Sequence, residues 1–259
     1  GQFIPLSSFV LGSVHDTSIH SLMVQVILEN KSVPLTLQPY LPEAIQYPQG
    51  SHIIFASAAY FFSYDVPKIV FYVTPLFNSL SVFGAYFLGK KMWPYRPFYL
   101  GLAFIFAFVS SWPLYITWGG NPFTVGFPLF LVDLGMLFSL IRSKDKASLA
   151  ELLVIGLLFG YVGVIIISYL EALVAIMALF LVYLIFRKHN NLRPVFAEFL
   201  LIFAVGMLAL RPFLVRYLAF FQYPGHNLGV PSDFTQYPTH QFYIYQTLQW
   251  TFENLTPYF

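Results

Sequence analysis

Asp16 and His20 stand four residues apart in the run HDTSIHSLMVQVILE, with His15 immediately before the acid. A carboxylate and an imidazole at that spacing share one face of a helix, where they form an acid–base pair or bind a divalent cation. A second histidine, His52, closes the run YPQGSH over 47–52, where Pro48 and Gly50 punctuate a turn and His52 falls in the first turn of a helix. A capped helix with a satisfied histidine accounts for the first segment as well, and a plain helix start for the second.

The element that positions Asp16 and His20 is readable from its period. Ile19, Leu22, Met23, Val26 and Ile27 recur as one helical face over 18–29, and Asp16, Thr17 or Ser18 can cap its start. The remaining chain is mostly apolar. Of 259 residues, 58% are hydrophobic and only 9% charged, against about a quarter charged in soluble domains. So little charge leaves apolar surface that one water-soluble core cannot hide, and the lipid bilayer is the natural solvent. A net charge of +2 is too small for a nucleic-acid partner. The absence of cysteine excludes disulfides, thiolate metal sites and cysteine nucleophiles.

Segments long enough to span, about 20 apolar residues, fall at 67–89, 96–117, 122–141 and 195–218, and 149–186 fits two spans meeting near ISYLEALV. Three short turns hold nine of the thirteen basic residues: Lys90, Lys91 and Arg96; Arg142, Lys144 and Lys146; Arg187, Lys188 and Arg193. Two expected spans separate each turn from the next, so all three lie on one side, the cytoplasmic one by lysine and arginine bias. The apolar stretch 51–64 is too short to cross and reads as a second helix lying in the outer interface, with Tyr60 and Tyr64 at headgroup level. The expected organisation is the end of a truncated first membrane helix at 1–12 of a longer protein, and an extracytoplasmic loop with two interfacial helices at 13–66. A bundle of about six spans at 67–218 and an aromatic-rich extracytoplasmic tail at 219–259 complete it.

Other polar residues stand out against this background. Glu171 sits near the outer tip between two spans, facing a wet cavity or simply water. Asp133 is mid-span in LFLVDLGML, where a lone acid is functional or paired. Arg211 and Arg216 approach the outer end of the last span, and an arginine fork there suits a lipid phosphate or snorkels to ordinary headgroups. The turn Trp118–Asn121 is polar and outward, and Asn30-Lys31-Ser32 and Asn254-Leu255-Thr256 are glycosylation-acceptor sequons.

The order Asp16, helix 18–29, ENKSVP, YPQGSH and YFLGKKM resembles the amino-terminal third of the glycosyltransferase C superfamily, membrane enzymes that use lipid-phosphate-linked sugars. The resemblance covers about a third of the chain. It implies an all-α polytopic membrane protein with a GT-C-like helical bundle and interfacial helices in the first outer loop. Its activity would be transfer of a sugar from a polyprenyl-phosphate donor to a glycan, lipid or protein acceptor at the extracytoplasmic face. Asp16 corresponds to the family's first-loop acid, a general base or a ligand, with His15, of a divalent Mg or Mn ion. His20 and His52 assist catalysis, and Tyr47, Trp118, Asn121, Glu171, Arg211 and Arg216 are candidates to bind substrate. The chain departs from the family in the later outer loop, where TWGGNPF offers Asn121 in place of an acidic pair. A transporter or flippase using Asp133 and Glu171, and a non-catalytic subunit of a membrane glycosylation complex, are the alternatives.

Overall fold

A computed structural model describes residues 15–34, 37, 39–40, 48–63, 65–109, 121–142, 147–186 and 192–222, excepting the side chains of 15–17, 108–109, 192 and 214–222. Among the described residues the chain is all-helical.

Helix α1 (His15–Asn30) begins three residues before the expected start. His15, Asp16 and Thr17 therefore belong to the helix instead of capping it, and Asp16 lies one turn ahead of His20. The helix is buried on two sides. Met23 packs with Leu37, while Val24 and Ile27 join a core shared with later helices. The loop that follows is tied back to it, since Glu29 accepts hydrogen bonds from Gln25 at 2.8 Å and from Tyr40 at 2.7 Å. Helix α2 (Gly50–Phe62) has 13 residues and extends about 20 Å, short of a bilayer core. Phe55, Ala56 and Ala59 face inward, and the helix ends on Tyr60, Phe61 and Phe62, all well exposed.

The long helices are α3 (Val66–Met92), α5 (Asn121–Arg142), α7 (Ile167–Phe186) and α8 (Leu192–Gln222). These four are long and apolar enough to cross a membrane, the mark of an integral membrane protein. Two further apolar helices are shorter: α4 (Arg96–Phe104), continued by a π-helical turn over Ile105–Val109, and α6 (Leu149–Ile165). The expected six spans are thus four long helices and two short ones. Part of the expected span 96–117 lies outside the described residues. The segment 149–186 does divide in two, at the single extended residue Ile166 just before ISYLEALV. Helix α8 runs on to Gln222, taking the first residues of the expected tail into the helix. Outward faces stay apolar, with Leu179 at 69% and Leu208 at 68% exposure, as expected where lipid replaces water.

Packing fixes which ends lie together. A Cβ on Gly84 would meet Leu131 and the Pro128 carbonyl, and one on Gly135 would meet Phe87 and Leu88. Residue numbers rise together along the two helices, so α3 and α5 run parallel, with the chain returning between them. Helices α6 and α8 are parallel by the same test. Gly156 and Gly160 press on Val205, Gly206 and Ala209, a small-residue seam of the kind that lets membrane helices approach closely. Lys91 donates to Ser139 at 3.1 Å, and Arg142 donates to the carbonyls of Lys91 and Met92. The first two basic turns therefore share one end of the bundle. Helices α1 and α2 sit on the other end. Val24, Phe55, Val70, Val125 and Ile165 share a core there, and Gly50 rests on the Val164 carbonyl.

Candidate active site at the α1–α2 end of the bundle

The buried polar side chains are not scattered. Eleven are buried among the described residues, and nine of them lie between the α1–α2 end and the middle of α3: His20, Ser21, Gln49, Ser51, His52, Thr74, Asn78, Asn121 and Thr124, with Ser81 just past that midpoint. The α3–α5 register, carried toward the start of α5, sets Asn78 level with Thr124 and Thr74 level with Asn121. Gly126 meets Ile165 and Ile166, and Tyr169 donates to the Phe123 carbonyl at 3.1 Å. The α6–α7 junction therefore closes the same level. Asp133, the eleventh, lies about two turns further along α5.

At the centre of this region His20 Nδ1 stands 2.8 Å from His52 Nε2, with both rings buried. The ring centroids are 5.0 Å apart and the planes tilted by 42°, so the contact is an edge-on hydrogen bond and not a stack. Each helix brings one ring for a local reason. On α1, His20 precedes Val24 and Ile27 along the stripe turned into the shared core. On α2, Gly50 lets the first turn approach the Val164 carbonyl, where an added Cβ would stand at 2.8 Å, and His52 follows two residues later. Gln49 donates to the Pro34 carbonyl at 3.2 Å and so ties the start of α2 to the loop after α1. Burial lowers the His20 imidazole to about 4. Burial likewise holds His52 well below its ordinary range, the neighbouring ring adding to the effect and a hydrogen bond to the Pro48 carbonyl opposing it. Both rings are neutral at physiological pH.

Asn78 and Asn121 complete the polar region in another way. Neither side-chain atom of Asn78, nor the Asn121 amide nitrogen, has a hydrogen-bond partner among the described residues, although both residues are buried. A buried amide without a partner costs about 1–3 kcal/mol, and a site that receives water or a polar ligand recovers that cost. Neither carboxylate oxygen of Asp133 has a partner among the described residues either.

The residues singled out from the sequence divide accordingly. His20 and His52 come together. Asn121 is the first residue of α5 and buried, instead of lying in an outward turn. Glu171, in the second turn of α7, is exposed, and so is Arg211 on α8; no contact joins either to the histidine pair. Tyr47 and Trp118 lie outside the described residues, as do the side chains of His15, Asp16 and Arg216. Gln49 and Asn78 were not anticipated. The rule that picked out Asp133, a polar residue in an apolar span, applies equally to Asn78 in PLFNSLS.

The facing histidine nitrogens do not fit a shared divalent metal, and the side chains of the expected ligands His15 and Asp16 lie outside the described residues. Two nitrogens bound to one tetrahedral ion stand about 3.3 Å apart, and the facing histidine nitrogens are already engaged with each other at 2.8 Å. No group of three histidine or acidic side chains converges among the described residues. An apolar groove of about 460 Å³ leads away from this end, from Gly50 and Ile53 along Val154, Leu157, Leu158 and Tyr161. The chain matches no family model, no curated protein and no solved structure.

Proposed function

We propose that the protein is a multi-pass membrane glycosyltransferase of the GT-C type, moving a sugar from a polyprenyl-phosphate donor to a glycan, lipid or protein hydroxyl. The observation that carries this reading is the buried His20–His52 pair, one helical turn from Asp16, at the end of the bundle opposite the basic turns. Lysine and arginine bias makes the basic end cytoplasmic, so the reaction belongs to the extracytoplasmic face. The donor suits the setting. Its tail stays in lipid along the apolar groove beside Gly50, while its phosphate and sugar reach the polar level. Asp16 acts as general base and takes the proton of the acceptor hydroxyl. The oxygen then attacks the anomeric carbon, and the polyprenyl phosphate leaves with the electron pair of the broken bond. Arg211 and Arg216 are the cations available to the leaving phosphate from α8.

The test is sugar transfer in proteoliposomes supplied with short-chain polyprenyl phosphates carrying radiolabelled mannose, glucose or N-acetylglucosamine. Asp16→Asn should lower the rate by about 10²–10⁴-fold, the usual worth of a general base. Transfer at the wild-type rate by that variant overturns the assignment. The Asp133 carboxylate, without a partner among the described residues and buried in a helix long enough to span, favours a second reading as a transporter or flippase. Substrate uptake into vesicles that is lost in Asp133→Asn while Asp16→Asn remains active would select it.

A further inference from the structure

We infer that the elbow between α3 and α4 binds an anionic phospholipid of the leaflet at the basic end, with Arg142 holding the headgroup phosphate and Trp93 and Tyr95 flanking it. This site is separate from the sugar-transfer reading and does not depend on it.

The elbow is built from stiff, flat pieces. Helix α3 stops at Met92, and Trp93 is extended, its N–H donating to the Gly89 carbonyl at 2.8 Å. Pro94 follows, and a proline keeps the residue before it out of the helical region. Tyr95 is extended as well, and Pro97 lies in the first turn of α4. The new helix is fastened to the elbow at once, since the Phe98 N–H donates to the Tyr95 carbonyl at 3.0 Å. A Cβ on Gly89 would meet Tyr99, so α4 folds back against α3. The Trp93 and Tyr95 side chains are left 61% and 64% exposed at the turn.

Two clefts meet at these rings. One, of about 620 Å³, is lined by Met92, Trp93, Pro94, Tyr95 and Arg142. The other, of about 400 Å³, is lined by Trp93, Tyr95, Pro97 and Phe98, with the Trp93 and Phe98 ring centroids 5.5 Å apart. The first holds a guanidinium, and the second is formed by aromatic rings and a proline. A ligand that fills both carries an anion beside an apolar body, which is how a phospholipid divides between headgroup and acyl chains.

Arg142 is positioned in advance. Its Nη1 donates to the carbonyls of Lys91 and Met92, while Nη2 and Nε make no hydrogen bond among the described residues. A guanidinium is a rigid planar fork, so anchoring one nitrogen sets the direction of the other two. Those two form an edge that suits bidentate contact with a phosphate. Charge favours an anion there. Lys90 and Arg96 are exposed on the same turn. Glu151, the acid whose field reaches Lys91, is already bonded to the backbone and hydroxyl of Ser148. Lipid is the source, because the elbow caps a helix of 27 residues that is long enough to span. Headgroups, interfacial tryptophan and tyrosine, and lipid-binding basic clusters share that depth.

The test is native mass spectrometry of the full chain in detergent, with phosphatidylglycerol and phosphatidylcholine of identical acyl chains. The wild-type protein should bind phosphatidylglycerol about tenfold more tightly, on the scale of hydrogen bonds to a charged group. Arg142→Gln should abolish that preference. Arg142→Lys keeps the charge without the fork and should retain a preference of about threefold. Trp93→Leu should weaken both lipids alike, since it removes the shared wall and no charge. Arg193→Gln makes the same charge change at an exposed site in the third basic turn and should leave the preference intact. Equal binding of the two lipids by the wild type overturns the site. Equal loss in Arg193→Gln and Arg142→Gln also overturns it, leaving only the general attraction of a basic surface for anionic lipid. Displacement of phosphatidylglycerol by glycerol 3-phosphate at equal concentration identifies a phosphate site and overturns the lipid assignment. If Arg142→Gln does not fold, the wild-type preference, Arg142→Lys and Arg193→Gln decide.

Discussion

The two ends of the bundle handle polar groups in opposite ways. At the basic end the charges are mostly at the surface and are answered locally. Lys91 reaches Ser139, Arg142 covers the last carbonyls of α3, and Ser148 with Glu151 closes the first turn of α6. At the α1–α2 end the buried polar groups are uncharged, and some lack a partner among the described residues. The first arrangement satisfies helix termini and fixes orientation in a bilayer. The second keeps hydrogen-bonding capacity out of water, which costs stability and is retained where a ligand uses it. The difference separates an end whose charges are met at its surface from one that buries uncharged hydrogen-bonding groups, the end where the proposed reaction would take place.

The largest expected effect that would break this contrast is the response to acid. Both histidines have depressed pKa values, so the unfolded chain binds protons that the folded chain refuses. Their stabilisation is complete above the unfolded value of 6.5 and is lost as pH falls toward about 4. For His20 alone that interval is worth about 3 kcal/mol. Thermal unfolding in detergent should shift down steeply between pH 6.5 and pH 4.5. The shift should be smaller in His20→Leu and unchanged in Lys91→Ala, which leaves the histidine pair intact. A slope that is the same in wild type and His20→Leu would erase the distinction between the two ends.

Backbone fit gives the next effect. A Cβ at Gly50 would meet the Val164 carbonyl oxygen at 2.8 Å, whereas one at Gly101, in α4 beyond the basic turn, meets nothing within 4 Å. Gly50→Ala must lift the first turn of α2 and should cost about 1–3 kcal/mol, the range for overpacking. His52 rides on that turn, so sugar transfer should fall with it. Gly101→Ala should instead stabilise the protein by about 0.5–1 kcal/mol through helix propensity. Chemical denaturation of the two variants checks the sign as well as the size.

These contrasts also show how much could be read in advance. The four long helices, the shared end of the first two basic turns and the division of 149–186 follow from apolar length and charge bias, which are one-dimensional properties of the chain. Helix α2 was readable too as a short apolar helix, from the length of the run over 51–64. The His20–His52 contact was not. It joins residues 32 apart in sequence, and nothing in either segment specifies which face of α1 meets the start of α2. The apolar stripe of α1 was visible as Ile19, Leu22, Met23, Val26 and Ile27, yet the helix buries a second stripe through His20, Val24 and Ile27. A histidine on that second stripe reads as polar surface until its neighbour is known. Glu171 and Arg211 show the converse: each was readable either as a ligand contact or as a plain surface residue, and packing leaves both exposed.

The smallest effect sharpens the comparison from the basic side. Ser148 accepts from the Glu151 backbone at 3.2 Å, and Glu151 accepts in return from the Ser148 backbone at 2.8 Å. This reciprocal pair satisfies two donors that the first turn of α6 would otherwise leave unbonded. Hydrogen bonds from Ser148, aided by nearby Lys91, hold the exposed Glu151 carboxylate below its ordinary range. Ser148→Ala should cost about 1 kcal/mol, read as a small drop in unfolding midpoint. It should leave the acid response and the sugar-transfer rate untouched, because α6 runs some 25 Å from this cap to the level of Gly50. A matching loss of transfer would mean that α6 carries changes along its length, and the two ends would then have to be treated as one coupled device.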